Sequence, residues 1–528
     1  MQRKFNTICL AAALALCFAA AGCGDSGSGT TAYNFTSSQS SSGGSDGSGT
    51  GDDSGSGDES GSETGGGGSV LDLSDAHYIS FNSNTEDTDA AVTIDGEAVP
   101  EYDYTWKVDL TTLHTDVEDS PAEYFEGTEP GDDDVYIAHD VVYLPDSLKD
   151  QFTTTVKDDD ETEIACYYDN DVIASLVDDL LDNDNYSLTS ATKFIFATLP
   201  NTAAKSTMLH SEEEAYNNPV LHINSPGTYV LSGNWNGQLW IDGNGDNADE
   251  ENVVNIVLNG ANVTCSVAPS IVFHDVYECG PDDNEDYDVD ISGAGARVYI
   301  VDGTTNTFTG SNVYRMLKVL PKYKASADSP TTVIDGTDVS QQKKRWKMDG
   351  AFYSFASMLI DGTALSGSDV EGSGVLNIVS TTYEGLNSEL HLTINGGIVN
   401  ISTPDDGINV NEDGVSVFTL NNGSLNITST GGDGIDSNGW IVINDGDGTI
   451  SSGGGADHGL DADNGVYILG GSLNADSAEN LQVNNGSGTI GETTDGPGGG
   501  DTPGGDAPDG DAPSGDAPGN GEAPPDKP

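Results

Sequence analysis

Between residues 374 and 485 apolar and polar positions alternate in short bursts, and the bursts recur. Gly374-Val375-Leu376-Asn377-Ile378, Gly397-Ile398-Val399-Asn400-Ile401, Gly423-Ser424-Leu425-Asn426-Ile427, Gly448-Thr449-Ile450-Ser451-Ser452 and Gly471-Ser472-Leu473-Asn474-Ala475 align beneath one another. A turn with its own pattern follows the first four: Glu384-Gly385-Leu386-Asn387, Asp406-Gly407-Ile408-Asn409, Asp433-Gly434-Ile435-Asp436 and His458-Gly459-Leu460-Asp461. The pairs Leu392/Ile394, Phe418/Leu420 and Ile441/Ile443 supply a third burst. Period-two alternation predicts strands with one buried face, so Leu376/Ile378, Val399/Ile401 and Leu425/Ile427 point inward and Asn377, Asn400 and Asn426 outward.

The turn glycines 385, 407, 434 and 459 are spaced by 22, 27 and 25 residues. Three short strands in a period of that length predict one coil of a parallel β-helix. A leucine-rich repeat needs a Leu-x-Leu frame and a helical half, which glycine-rich corners do not form. The outward asparagine column reads either as a solvated amide ladder, the default for a half-exposed strand, or as a face that contacts polysaccharide.

The same texture begins near residue 219, in Thr228–Leu231, Gln238–Ile241 and Val253–Asn259, and assigns 216–485 to the β-helix. Residues 76–215 are mixed and predict a small α+β cap. Val135–Ile137 and Asp140–Tyr143 read as strands, Asp171–Leu181 has helical apolar spacing, and Glu212–Ala215 reads as a short helix. Residues 23–75 are rich in Gly, Ser and Asp, and residues 486–528 carry Gly-Asp-Ala-Pro repeats. Both compositions predict disordered tethers.

Composition narrows the chemistry. The 528 residues carry 88 Asp and Glu against 17 Lys and Arg, a formal charge of −71. That balance excludes nucleic acid as a partner, since phosphate binding needs clustered cations, and it favours divalent metal ions. Residues 1–22 have a short basic region at Arg3 and Lys4 and an apolar run from Ile8 to Ala21, as in a signal peptide. The run ends Ala19-Ala20-Ala21-Gly22-Cys23, which resembles a bacterial lipobox and implies cleavage before Cys23 and lipid on that residue. The expected location is extracytoplasmic, on a lipid anchor that is the only membrane contact, at a cell surface or in a periplasm. In that compartment Cys265 and Cys279 are a candidate disulfide, with Cys166 left over.

The acidic turns carry the candidate chemistry. Glu384/Asn387, Asp405-Asp406/Asn409, Asp433/Asp436 and Asp457/Asp461-Asp463 recur with the period. On neighbouring coils such groups stack about 4.8 Å apart. Two carboxylates at that distance repel by about 3–4 kcal/mol at an effective dielectric of 20. No Lys or Arg lies between Lys347 and Lys527 to relieve this. A hard divalent cation shared between coils would, and calcium accepts six to eight such oxygens in flexible geometry. The alternative is that Asp and Asn sit there as ordinary turn caps.

The segments Gly227–Gly233, Gln238–Asp242, Val257–Thr264 and Asp349–Ser354, followed by the Asn-Gly-Gly and Asp-Gly-Ile turns, occur in this order. Over about 219–485 the chain resembles the bacterial calcium-binding, carbohydrate-binding β-helix family, which is related in fold to pectate lyases. The resemblance implies a right-handed β-helix, calcium between coils and non-catalytic binding of acidic glycans such as polygalacturonate. The pattern departs from regularity at His458, where neighbouring coils have an acid, and at residues 479–482.

Three functions follow as expectations. The first is a lipid-anchored, calcium-dependent binder of acidic polysaccharide, acting as a monomer, with Tyr383, Trp440 and Tyr467 as sugar-stacking candidates. The second is a polysaccharide lyase. It needs a base, usually Lys or Arg, and residues 349–490 contain neither, so the reading leans away from an enzyme. Arg297, Arg315 and the cluster 343–347 are the remaining cations to consider. The third is an adhesin or scaffold that calcium merely stiffens.

Overall fold

The computed structural model describes residues 71, 73–82, 91–109, 122–131, 134–147, 209–243, 250–281, 284–313, 348–363 and 373–494. It adds short strands at 152–157, 163–167, 198–200, 323–324 and 332–333. The leader, Cys23, the Asp171–Leu181 segment, Arg315 and the cluster 343–347 lie outside the described residues.

The protein is mainly β, and among the described residues thirty strands join one sheet. Most pairings are parallel and fall into three ladders. The first runs through Val220–Ile223, Gln238–Asp242, Ile271–Asp275, Gly350–Ser354, Glu384–Ser388, Ile408–Val410, Ile435–Ser437 and Leu460–Ala462. The second runs through Gly227–Asn236, Val254–Thr264, Ala296–Val301, Met358–Thr363, His391–Ile394, Val417–Leu420, Trp440–Ile443, Gly465–Ile468 and Leu481–Asn484. The third leaves the end of Val254–Thr264 and continues through Thr305–Gly310, Val375–Ser380, Ile398–Thr403, Ser424–Ser429, Asp447–Ser451, Ser472–Glu479 and Ile490–Thr494. Each repeat gives one strand to each ladder, which we call a rung.

Register follows the hydrophobic pattern. Leu376, Val399 and Leu425 are directly paired, as are Leu386, Ile408, Ile435 and Leu460, and Leu392, Phe418, Ile441 and Val466. All belong to one buried cluster shared by the three ladders. Each aliphatic side chain so buried contributes about 1.5–3 kcal/mol. The turn glycine is a packing requirement: a Cβ on Gly407 would lie 2.2 Å from Ile427 Cγ2 and 2.4 Å from the Gly434 carbonyl oxygen.

Outside the repeat the structure revises several expectations. His77–Phe81 pairs in parallel with Tyr229–Gly233, so the sheet runs across the boundary drawn at 215/216. Leu71, Leu73 and Ala76 pack on a cluster of Val230, Val257, Tyr299 and Val301, so ordered contacts begin inside the segment read as a linker. At the other end Ile490–Thr494 pairs with Ser472–Glu479, extending the sheet past 485. Val135–His139 is a strand and Glu212–Tyr216 a helix, as expected. Residues 141–143 are not a strand: Val141, Val142 and Tyr143 are all buried beside Trp106 and Trp240, and a run buried on both sides carries no period-two signal.

Cys265 and Cys279 are both free thiols. The strand Ile271–Asp275 lies between them in the chain, and they have different neighbours, with Cys279 beside Gly293. Cys265 turns into the cluster that contains Val267, Val272 and Tyr353, and burial raises its thiol pKa to about 11. Burial raises that of Cys279 to about 12.

Candidate functional site: the acid column of the first ladder

Two columns of polar side chains climb the first ladder in register. Asn387, Asn409, Asp436 and Asp461 are directly paired. Beside them Glu384, Asp406, Asp433 and His458 occupy equivalent turn positions, because the backbone N–H of the following glycine (385, 407, 434) donates to the carbonyl oxygen of Asp406, Asp433 and His458 in turn. The expected register holds for Glu384/Asn387, Asp406/Asn409, Asp433/Asp436 and Asp461, while the fourth acid position is taken by His458 and not by Asp457.

The lower rungs of the columns are buried and bonded to one another, apart from the Asn409 Oδ1, which has no hydrogen-bond partner among the described residues. Glu384 and Asn387 are 4% and 0% exposed. The amide of Asn409 donates to Glu384 Oε1 at 3.1 Å, and that of Asn387 to Oε2. Asp406 Oδ1 accepts the Asp433 backbone N–H at 2.6 Å, and Asp433 Oδ1 accepts that of His458. Asp457 Oδ2 accepts the Gly432 N–H at 3.2 Å, and Asp405 and Asp406 close on the same glycine. Several of the acids therefore cap turn backbone, which carbonyl-rich corners require.

The upper rungs differ. Asp433, His458 and Asp461 each offer a ligand atom, and these atoms lie within 4.8 Å of one another. His458 Nδ1 is 3.7 Å from Asp461 Oδ2 and 3.5 Å from Glu479 Oε2, which are ion-pair separations rather than hydrogen bonds. Burial and the Asp461 charge push the Asp433 carboxyl well above the usual range. The acids around His458 raise its imidazole against the opposing effect of burial, Asp461 most of all. Sequence reasoning missed Glu479. The signal was present, since the two departures from the repeat, at 458 and at 479–482, fall on adjacent rungs and pair with each other. Asp463 is exposed at the next corner, its backbone N–H bonded to the Ser437 carbonyl, and does not join this group.

The aromatic candidates are covered to different degrees. Tyr383 is 1% exposed and its carbonyl accepts the Thr403 hydroxyl at 2.5 Å, so it offers no platform for a sugar. Trp440 packs with Val417 and Val442 at 8% exposure. Tyr467 is half-buried, with its ring 4.2 Å from that of Tyr287. Tyr287 and Val289 belong to a segment that crosses the outer face of the second ladder. The segment is pinned at Pro281, whose carbonyl accepts from His391 Nε2 at 2.8 Å while Nδ1 accepts the Val417 N–H. Burial lowers the His391 pKa to about 4, which keeps that ring neutral.

The outer asparagines of the third ladder bond to one another. Asn400 donates to Asn377 at 2.9 Å and Asn426 to Asn400 at 3.1 Å. A second ladder runs from Asn444 to Asn421 to Asn395. Both are self-saturating amide stacks.

Ladders, columns and core together define a mainly β, repeat-built protein with a metal-compatible acidic edge. A family model described as "Carbohydrate-binding domain-containing protein" matches residues 322–500, which include every rung of the two columns. No curated protein and no solved structure matches the chain. The family match supports carbohydrate binding.

Proposed function

We propose that the chain is a right-handed parallel β-helix that binds acidic polysaccharide of the polygalacturonate type through calcium, without catalysis. It does so as a monomer, outside the cytoplasm, on a lipid anchored at Cys23. The observation that carries the cation is the convergence of Asp433, His458 and Asp461 at an edge whose carboxylates outnumber their counter-charges. The donor set fits in part. The carboxylates of Asp433 and Asp461 suit a hard ion. The imidazole suits manganese or zinc better, and when protonated it competes with any metal. A calcium ion here would rest on oxygens and leave His458 paired with Glu479. The ion would supply positive charge to bridge protein and glycan carboxylates, which otherwise repel.

The test is binding of polygalacturonate to the full chain with calcium, with manganese or zinc, and with EDTA, alongside absorbance of unsaturated uronate. The expected result is retention with calcium, release by EDTA and no new absorbance. Calcium-dependent melting without glycan affinity would favour a scaffold. New absorbance would make the protein a lyase.

A further inference from the structure

A cleft of about 320 Å³ lies far in sequence from the acid column, between residues 105–107, 139–143 and 212–216. That volume falls at the small end of ligand sites. Its lip is Tyr216, 45% exposed yet fixed in place. Tyr216 ends the helix Glu212–Tyr216, which a capping box between Ser211 and Glu214 secures at its start. Asn218 ties the helix back to the sheet through the Glu214 carbonyl at 2.8 Å and Ser266. One face of the Tyr216 ring stacks on His139 at 3.9 Å and 5°, and His139 in turn contacts Glu101 at 3.2 Å. Exposure of a ring backed on one side leaves its other face as a rigid apolar platform. Beside it Lys107, 21% exposed, reaches Glu212 at 3.1 Å, and Trp106 closes the floor at 2% exposure.

We propose that this cleft is a second carbohydrate subsite and takes a neutral pyranose. A pyranose has an apolar C–H face and an edge of hydroxyls. Tyr216 matches the face, and the Lys107–Glu212 pair offers a donor and an acceptor to the edge. The charges weigh against a uronate: Glu212 and Glu213 line the cleft and Glu101 stands behind His139, against the one ammonium of Lys107, which is already paired with Glu212. The site needs no metal and stands apart from residues 322–500, so it goes beyond the function proposed above.

The experiment is calorimetric titration of the full chain in EDTA with cellotetraose, xylotetraose, mannotetraose and tetragalacturonate. At least one neutral tetrasaccharide is expected to bind, and tetragalacturonate is not. Tyr216→Ala and Lys107→Met are each expected to weaken that binding at least tenfold with an unchanged melting temperature. The tryptophan fluorescence of the chain, to which Trp106 contributes with four others, should change on binding and not do so in a Trp106→Phe variant. Binding of none of the neutral sugars overturns the proposal, as does wild-type affinity in either variant. EDTA keeps this outcome separate from the calcium-dependent reading, which stands or falls on polygalacturonate.

Discussion

The two halves of the acid column solve one electrostatic problem in different ways. At Glu384/Asn387 and Asp406/Asn409 each acid stands beside a neutral amide, and all four residues are buried at 6% exposure or less. At Asp433/Asp436 and His458/Asp461 the amide position has become a carboxylate, and these side chains keep partial contact with water. An amide donates to the acid of its own rung or of the rung below, as Asn387 and Asn409 do to Glu384. An aspartate has no donor to give. Where asparagine ends, charge must be met by solvent, by His458 or by a cation.

The largest effect is expected from making the lower half resemble the upper. Asn387→Asp places a second carboxylate beside Glu384 at a site with no exposure and removes the donor to Oε2. A buried charge left without a partner costs about 3–5 kcal/mol. Urea denaturation in EDTA should show that loss. An unchanged midpoint would mean that the amides do not hold the column together. The reverse change, Asp461→Asn, should raise the melting temperature in EDTA, because it removes a like charge from Asp433. If the proposed calcium site is here, the change should also remove most of the stabilisation that the ion would give the wild type, about 2.7 kcal/mol at a hundredfold excess over Kd. An equal calcium response in both proteins would take the ion away from this rung.

A smaller effect separates a lone buried acid from a stacked one. Asp361 lies on the second ladder, and burial raises its carboxyl to about 6 against an opposing hydrogen bond from the Gly362 N–H. The folded state therefore holds the proton where the unfolded chain, near 3.8, has lost it. Stability from this group is fully present below about pH 4 and is lost as pH rises through 6. Asp361→Asn should flatten that part of the stability–pH curve while leaving the calcium response intact. A parallel curve for wild type and variant would contradict the burial argument.

The repeat was legible because its signals are local. Inward aliphatics recur with period two, and the turn glycines recur because no Cβ fits between rungs, as at Gly407. The columns were legible for the same reason, since a fixed period sets register. What escaped the sequence depends on non-local approach. The exposure of Tyr383 and Trp440 was decided by packing across rungs and by the segment around Tyr287, which returns over strands more than a hundred residues later in the chain. The Cys265–Cys279 pairing failed because sequence spacing says nothing about the strand lying between them. Glu479 belongs to the next rung, where the repeat pattern itself breaks down.

The smallest expected effect tests whether amides stabilise in stacks as they do in pairs. Asn400 both donates to Asn377 and accepts from Asn426, so it sits in the middle of its ladder. Asn474 is exposed near the end, with a long 3.4 Å contact to the Gly448 carbonyl and one accepted bond from the Thr489 N–H. Each half-exposed hydrogen bond contributes about 0.5–1.5 kcal/mol net. Asn400→Ala should therefore cost about 1–2 kcal/mol by denaturant midpoint, and Asn474→Ala less than half of that. Thr307 Oγ1 and the Thr449 N–H sit at the edges of the same stack and lose nothing directly in the Asn400 variant. Equal costs at 400 and 474 would show that the ladder is a row of independent solvated amides. A larger cost at 400 would show that in-register asparagine is itself a structural device, the neutral counterpart of the acid column one ladder away.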